Sequence, residues 1–195
     1  ATLKVAYGGR TVEVPVIVRD MNTFPPVHFK NDIMPILSKL GCNSGGCHGK
    51  QSGQNGFKLS VFGFDPQADF NALVKEARGR RVFLAAPGGS LLVAKASNTI
   101  AHGGGARTGS GSSDHFLLSQ WVAQGAPWGE DGAPYVASIR VSPAQRVLQA
   151  TEDQQLLVTA VYSDGSTRDV TDASEYTSNA TLVADIEETG HVHTG

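Results

Sequence analysis

Cys42-Asn43-Ser44-Gly45-Gly46-Cys47-His48 is the stretch on which the reading of this chain turns. It follows directly on Ile33, Ile36, Leu37 and Leu40, which fall at helical spacing with Asn31 or Asp32 as the cap and Pro35 in the first turn. A cysteine immediately before a histidine, with a second cysteine upstream, is the arrangement that attaches a c-type haem. Two thiols add to the two vinyl groups of the porphyrin, and the adjoining histidine ligates the iron. The usual spacing puts two residues between the cysteines; here there are four, and Gly45 and Gly46, lacking Cβ, can bulge outward so that both sulfurs reach their vinyls. Two other readings of the same residues stand beside this one. Cys42 and Cys47 could close a disulfide across a short loop, or form half of a zinc site, against which stand the lack of a second cysteine pair and the scatter of the other histidines.

Downstream, the helical pattern recurs three times. Asp65-Pro66 opens a helix carrying Phe70, Leu73, Val74 and Ala77 and stopped at Gly79; Ser90 caps a short one with Leu91, Leu92 and Val93; Ser113 caps a last one with Leu117, Leu118, Trp121 and Val122, ended by Gly125. Residues 43–64 and 97–112 are long glycine-rich connections, of a length uncommon in a compact domain unless they bind something. The last helix is expected to pack across the first and leave a slot for a flat apolar ligand.

The flanks alternate with period two. Leu3, Val5 and Tyr7, then a Gly8-Gly9 turn, then Val12, Val14, Val16 and Val18 predict a β-hairpin over residues 1–19, its second strand an edge or bulged at Pro15. Residues 136–195 carry Leu156, Val158, Ala160 and Tyr162 on one strand face, an Asp164-Gly165 turn and further short strands, which suggests a β-sandwich. The expected fold class is therefore α+β as separate domains: hairpin 1–19, a small all-α haem domain 20–130, and a β-sandwich segment 136–195, which the resemblance described below makes Ig-like.

Composition excludes several function classes. With 16 Lys+Arg against 18 Asp+Glu and no basic run, the chain is no dedicated nucleic-acid binder. No apolar stretch is long enough to span a bilayer. Two cysteines rule out a disulfide-dense scaffold, while 23 glycines and few aromatics leave a chain that buries little and calls for a staple. The absence of a starting Met marks it as an excised or processed segment.

Residues 27–128 resemble the cytochrome c-like domain of large secreted planctomycete proteins. The resemblance rests on Val27-His28-Phe29, Asp32-Ile33-Met34-Pro35-Ile36-Leu37-Ser38, Gly41-Cys42-Asn43, Gly46-Cys47-His48-Gly49 and Gly56-Phe57-Lys58-Leu59-Ser60-Val61-Phe62-Gly63. It continues through Glu76-Ala77-Arg78-Gly79-Arg80-Arg81, Ser90-Leu91-Leu92, His102-Gly103-Gly104-Gly105-Ala106-Arg107 and Gly125-Ala126-Pro127. Residues 154–171 are similar to a bacterial Ig-like (group 2) module, which often flanks that domain. The resemblance implies one covalent haem c per chain, held through Cys42, Cys47 and His48.

For the sixth ligand, no Met follows Met34, and Met34 itself is read as core. His102 occupies the chain position of the usual Met loop, and the three glycines after it allow close approach to a porphyrin face, so His48 and His102 are the expected metal ligands. Arg107, Arg80 and Arg81 are candidates to pair with haem propionates. No hydrolase, phosphate-loop or zinc-protease motif is present. The expected function is one-electron transfer in a periplasmic or secreted protein, with no catalytic residues of its own and an unidentified redox partner. The alternatives are a haem-based gas or peroxide site with a labile sixth ligand, and a structural or adhesive module without haem. Hairpin 1–19 is expected to dock onto the 136–195 strands, within one chain or by strand exchange between chains.

Overall fold

The computed structural model describes residues 1–195. Its eight strands form three small antiparallel sheets, and four short α-helices lie between the second and third strands.

Strands β1 (Thr2–Tyr7) and β2 (Arg10–Pro15) form a hairpin of their own. Gly8 and Gly9, at φ 57° and 76°, supply the two positive dihedrals of a two-residue type I′ turn. The register sets Leu3 against Val14 and Val5 against Val12, so these four and Tyr7 share one apolar face, and all five are exposed. The strand ends at Pro15, which leaves Val16 and Val18 outside it. No ladder joins the hairpin to the C-terminal strands, so the docking expected from sequence does not occur within one chain.

The helices are α1 (Met34–Lys39), α2 (Pro66–Val74), α3 (Leu91–Ala96) and α4 (Ser113–Ala123). A π-turn over Phe29–Ile33 leads into α1. Asp65 caps α2 by accepting from the Ala68 N–H at 3.0 Å, with Pro66 in the first turn, where its missing N–H costs nothing. Ser112, one residue earlier than expected, caps α4 by accepting from the His115 N–H at 3.2 Å. The core is aromatic: Phe29 is fully buried, with ring centres of Phe70, Trp121 and Trp128 at 5.2, 5.5 and 5.7 Å. Ile33, Leu37, Leu73, Leu118 and Val122 complete it.

In the C-terminal part, β3 (Val136–Ser142), β5 (Leu157–Tyr162) and β6 (Thr167–Asp169) make one sheet in the order β3-β5-β6. Strands β4 (Asp153–Gln155), β7 (Ala184–Ile186) and β8 (His191–Thr194) make another in the order β4-β8-β7. The two parts are tied by Lys39, whose Nζ lies 3.0 Å from Asp114 Oδ2 and also reaches the Asp172 carbonyl, and by the Arg168–Asp32 ion pair. No helix is long and apolar enough to cross a membrane.

This architecture corrects the expected fold class. The chain is mixed and strand-rich, not a small all-α haem domain joined to an Ig-like sandwich. The helices are short because glycines at positive φ cut the periodic runs: Gly41 at 68° closes α1 and Gly125 at 94° closes α4. Between them the chain is irregular and held by its own backbone hydrogen bonds. In residues 136–195, Val158 and Ala160 are the only buried apolar side chains of the core, while Ile139, Val141 and Leu157 are exposed. Two three-stranded sheets with so little between them are not a packed sandwich.

Candidate functional site

The loop after α1 is wound tightly. The Cys42 N–H donates to the Leu37 carbonyl at 2.8 Å, the His48 N–H returns to the Cys42 carbonyl at 3.0 Å, and the Gly49 N–H reaches the Ser44 carbonyl at 3.0 Å. A Cβ on Gly49 would lie 2.0 Å from the Asn43 carbonyl oxygen, so only glycine closes the loop this way. Gly45 and Gly46 sit at the outer bend with open space around them and without positive φ. They form the outward bulge expected, but they do not need to be glycine.

Behind this loop lies a cavity of about 450 Å³, within the range of about 300–1,000 Å³ usual for small-molecule and cofactor sites. Leu37, Leu40, Leu73, Leu92 and Leu118 give it apolar walls, and Cys42, His48, His102 and Arg80 all line it. A cleft of about 520 Å³ between α1, α4 and the β3-β5-β6 sheet contains no histidine or cysteine.

His48 and His102 arrive from opposite ends of the segment with ring planes parallel to within 6° and centres 6.2 Å apart. Two imidazoles bound through one nitrogen each to a single metal, at about 2 Å per bond, put their ring centres about 6 Å apart. Their tautomers are set in the same way. His48 Nδ1 donates to the Phe57 carbonyl at 3.1 Å and His102 Nδ1 to the Gly105 carbonyl at 3.0 Å, which leaves both Nε2 lone pairs free. Burial lowers the His48 pKa, keeping the neutral form that a metal requires. Gly104 allows the His102 loop to fold tightly, since a Cβ there would lie 3.0 Å from His102 Cε1.

The cysteines are half-buried and not joined to each other. Burial pushes the Cys42 thiol up to about 11, against an opposing pull from Arg107. Arg107 Nη2 lies 3.6 Å from Cys47 Sγ, which places the guanidinium beside the Cys42–His48 loop. Arg81 also lines the cavity, but its guanidinium is committed to the backbone: it donates to the Ala72 and Gly56 carbonyls at 2.5 and 2.6 Å and lies over the Phe57 ring at 4.6 Å. It braces Phe57, whose own ring centre is 4.5 Å from that of His48. The Phe57 and Gly105 carbonyls are the functional groups that sequence reasoning missed, because a backbone acceptor has no side-chain signature.

His115 sits half-buried in the first turn of α4, and His28 is half-buried near Gly129; neither lines the cavity. No protein-family model and no curated protein matches this chain.

Proposed function

We propose that this chain carries one covalently attached haem c and serves one-electron transfer. The observation that supports this most is the parallel pair His48 and His102, 6.2 Å apart, facing across an apolar cavity that Cys42 also lines. Cys42 and Cys47 would form the two thioethers, and His48 and His102 would ligate the iron through Nε2. When bound, the haem supplies a one-electron iron couple with no open coordination site. The Phe57 and Gly105 carbonyls hold both imidazoles in the ligating tautomer, which raises their basicity. Arg80 at the cavity and Arg107 beside Cys47 would be available to pair with the propionates.

Thioether attachment of this kind is made outside the cytoplasm, so the proposed location is periplasmic or secreted. The uncovered apolar face of hairpin β1-β2 supports strand exchange with the C-terminal sheets of a second copy; sedimentation velocity of the chain with and without residues 1–19 tests it, and a monomer in both cases would refute it. The haem assignment is tested by acid–acetone extraction followed by a pyridine haemochrome spectrum. Haem retained in the protein pellet is expected; a colourless pellet after expression with c-type maturation machinery would overturn it.

A further inference from the structure

Outside the His48–His102 cavity, a second set of ligand atoms converges on the β4-β8-β7 sheet. His191 and His193 are two residues apart on β8, so they project from the same face. Glu187 follows β7 directly. The turn between them closes with the Gly190 N–H on the Glu187 carbonyl and the Glu187 N–H on the His191 carbonyl, both at 2.9 Å, which sets Glu187 opposite His191. Across the other edge of β8, Asp153 on β4 is in register with His193.

The chemistry at the centre is unbalanced as it stands. His193 Nδ1 lies 2.9 Å from Asp153 Oδ1, and a carboxylate only accepts, so that nitrogen carries the hydrogen. In the neutral ring, Nε2 is then a bare lone pair. It points at Glu187 Oε1, 2.9 Å away, and at His191 Nδ1, 3.2 Å away. A hydrogen on His193 Nε2 or on His191 Nδ1, or a cation, must therefore lie among these three atoms.

The ligand atoms of Glu187, His191 and His193 all lie within 4.8 Å of one another, close enough to share one ion, and on a tetrahedral zinc ion with bonds of about 2.0–2.2 Å such atoms stand roughly 3.3 Å apart. Asp153 completes the carboxylate–histidine–metal arrangement that orients a ligating ring. We infer that His191, His193 and Glu187 form a zinc-class divalent metal site, oriented by Asp153, which clips the β7–β8 hairpin. Two imidazoles and a carboxylate suit Zn²⁺ and its neighbours better than Ca²⁺ or Mg²⁺. The fourth position opens to solvent, as both His193 and Glu187 are substantially exposed. The ligands come from β8 and the end of β7 in a part of the chain with almost no apolar core, so the ion would serve there as a staple.

The test is a calorimetric titration of the full chain with Zn²⁺ at pH 7.5, alongside histidine NMR. One equivalent is expected to bind and to shift the His191 and His193 imidazole resonances. His193→Ala and His191→Ala should abolish that event, and Asp153→Ala should weaken it about 10–100-fold. Binding should survive in His48→Ala, which separates this site from the proposed haem ligands whatever their fate. Circular dichroism of each variant confirms that the sheet persists, and Glu187→Gln, nearly isosteric, should still weaken binding where the alanine variants unfold. Resonances of both histidines unmoved by a tenfold excess of Zn²⁺ would mean that a proton alone balances the cluster. That result, or a titration that His48→Ala alone removes, would overturn the inference.

Discussion

Gly49→Ala should open the attachment loop, while Gly45→Ala and Gly46→Ala should leave it intact. The added Cβ at residue 49 would meet the Asn43 carbonyl oxygen at 2.0 Å, its carbon at 2.7 Å and the Ser44 carbonyl oxygen at 2.8 Å. All three are backbone atoms, so no side chain can rotate away. Relief requires residues 43–44 to move from residue 49, which breaks the Gly49–Ser44 bond and weakens the His48–Cys42 bond, both 3.0 Å long. Two hydrogen bonds at about 1 kcal/mol each, with some exposure of the buried Asn43, put the cost at about 2–4 kcal/mol. At residues 45 and 46 the space is open and φ is ordinary, so the same change should stay within about 0.5 kcal/mol, or stabilise slightly by restricting the unfolded chain. Trp121 and Trp128, the only two tryptophans, lie at the core beside α1 and report this unfolding by fluorescence in urea. The yield of covalent haem should follow the same order. Equal stability of Gly49→Ala and wild type would refute the reasoning, as would Gly45→Ala losing as much as Gly49→Ala.

Four further outcomes are expected. His102→Ala should retain covalent haem, because Cys42 and Cys47 are untouched, and should bind carbon monoxide when reduced; an unchanged absorption spectrum would remove His102 from the iron. Arg81→Ala should destabilise by about 2–4 kcal/mol in urea, since it strips two carbonyls of their donor and Phe57 of its stacking partner. Phe29→Ala should cost about 3–5 kcal/mol by the same assay, as the ring is fully buried among three aromatics. Asp169 has its pKa lowered from 3.8 by hydrogen bonds from the Thr171 hydroxyl and N–H. A lowered folded pKa contributes stability above the unfolded value that is lost as pH falls through the folded one. NMR titration should find Asp169 below 3.8 in wild type and higher in Thr171→Val.

What was legible in the sequence was local. Asp65-Pro66 announces α2 because cap and first turn lie within four residues, and the cysteine–histidine loop announces itself by spacing. Ser112 and Ser113 are adjacent and chemically alike, so only the geometry of the acceptor decides which caps α4. The all-α expectation failed because the four helices, though they stand where the periodicity put them, are only 6 to 11 residues long, and turns and irregular backbone fill most of the segment between them. The sandwich expectation failed for a related reason. Alternation at Val158 and Ala160 correctly marks the buried face of β5, but it carries no information on whether a second sheet covers the exposed Ile139 and Val141. At the site, the histidines could be named from sequence, whereas Phe57 and Gly105, which orient them, act through carbonyls that every residue possesses.

The surface balance explains why ligand clusters recur in this chain. It exposes 12485 Å², whereas a compact monomer of 20.5 kDa exposes about 8,900 Å². The excess follows from the structure: only 30 of 195 residues are buried, and the apolar core is concentrated around Phe29 and Trp121. The β4-β8-β7 sheet lies beyond that core's reach, whereas the His48–His102 cavity is walled by core residues Leu37, Leu40, Leu73 and Leu118. At the cavity the Nδ1 hydrogens of His48 and His102 are committed to backbone carbonyls, and in the sheet the Nδ1 hydrogen of His193 is committed to Asp153. The proposed haem and metal ion would each bond several of these atoms at once, a compact means of stabilising a glycine-rich chain with a small core.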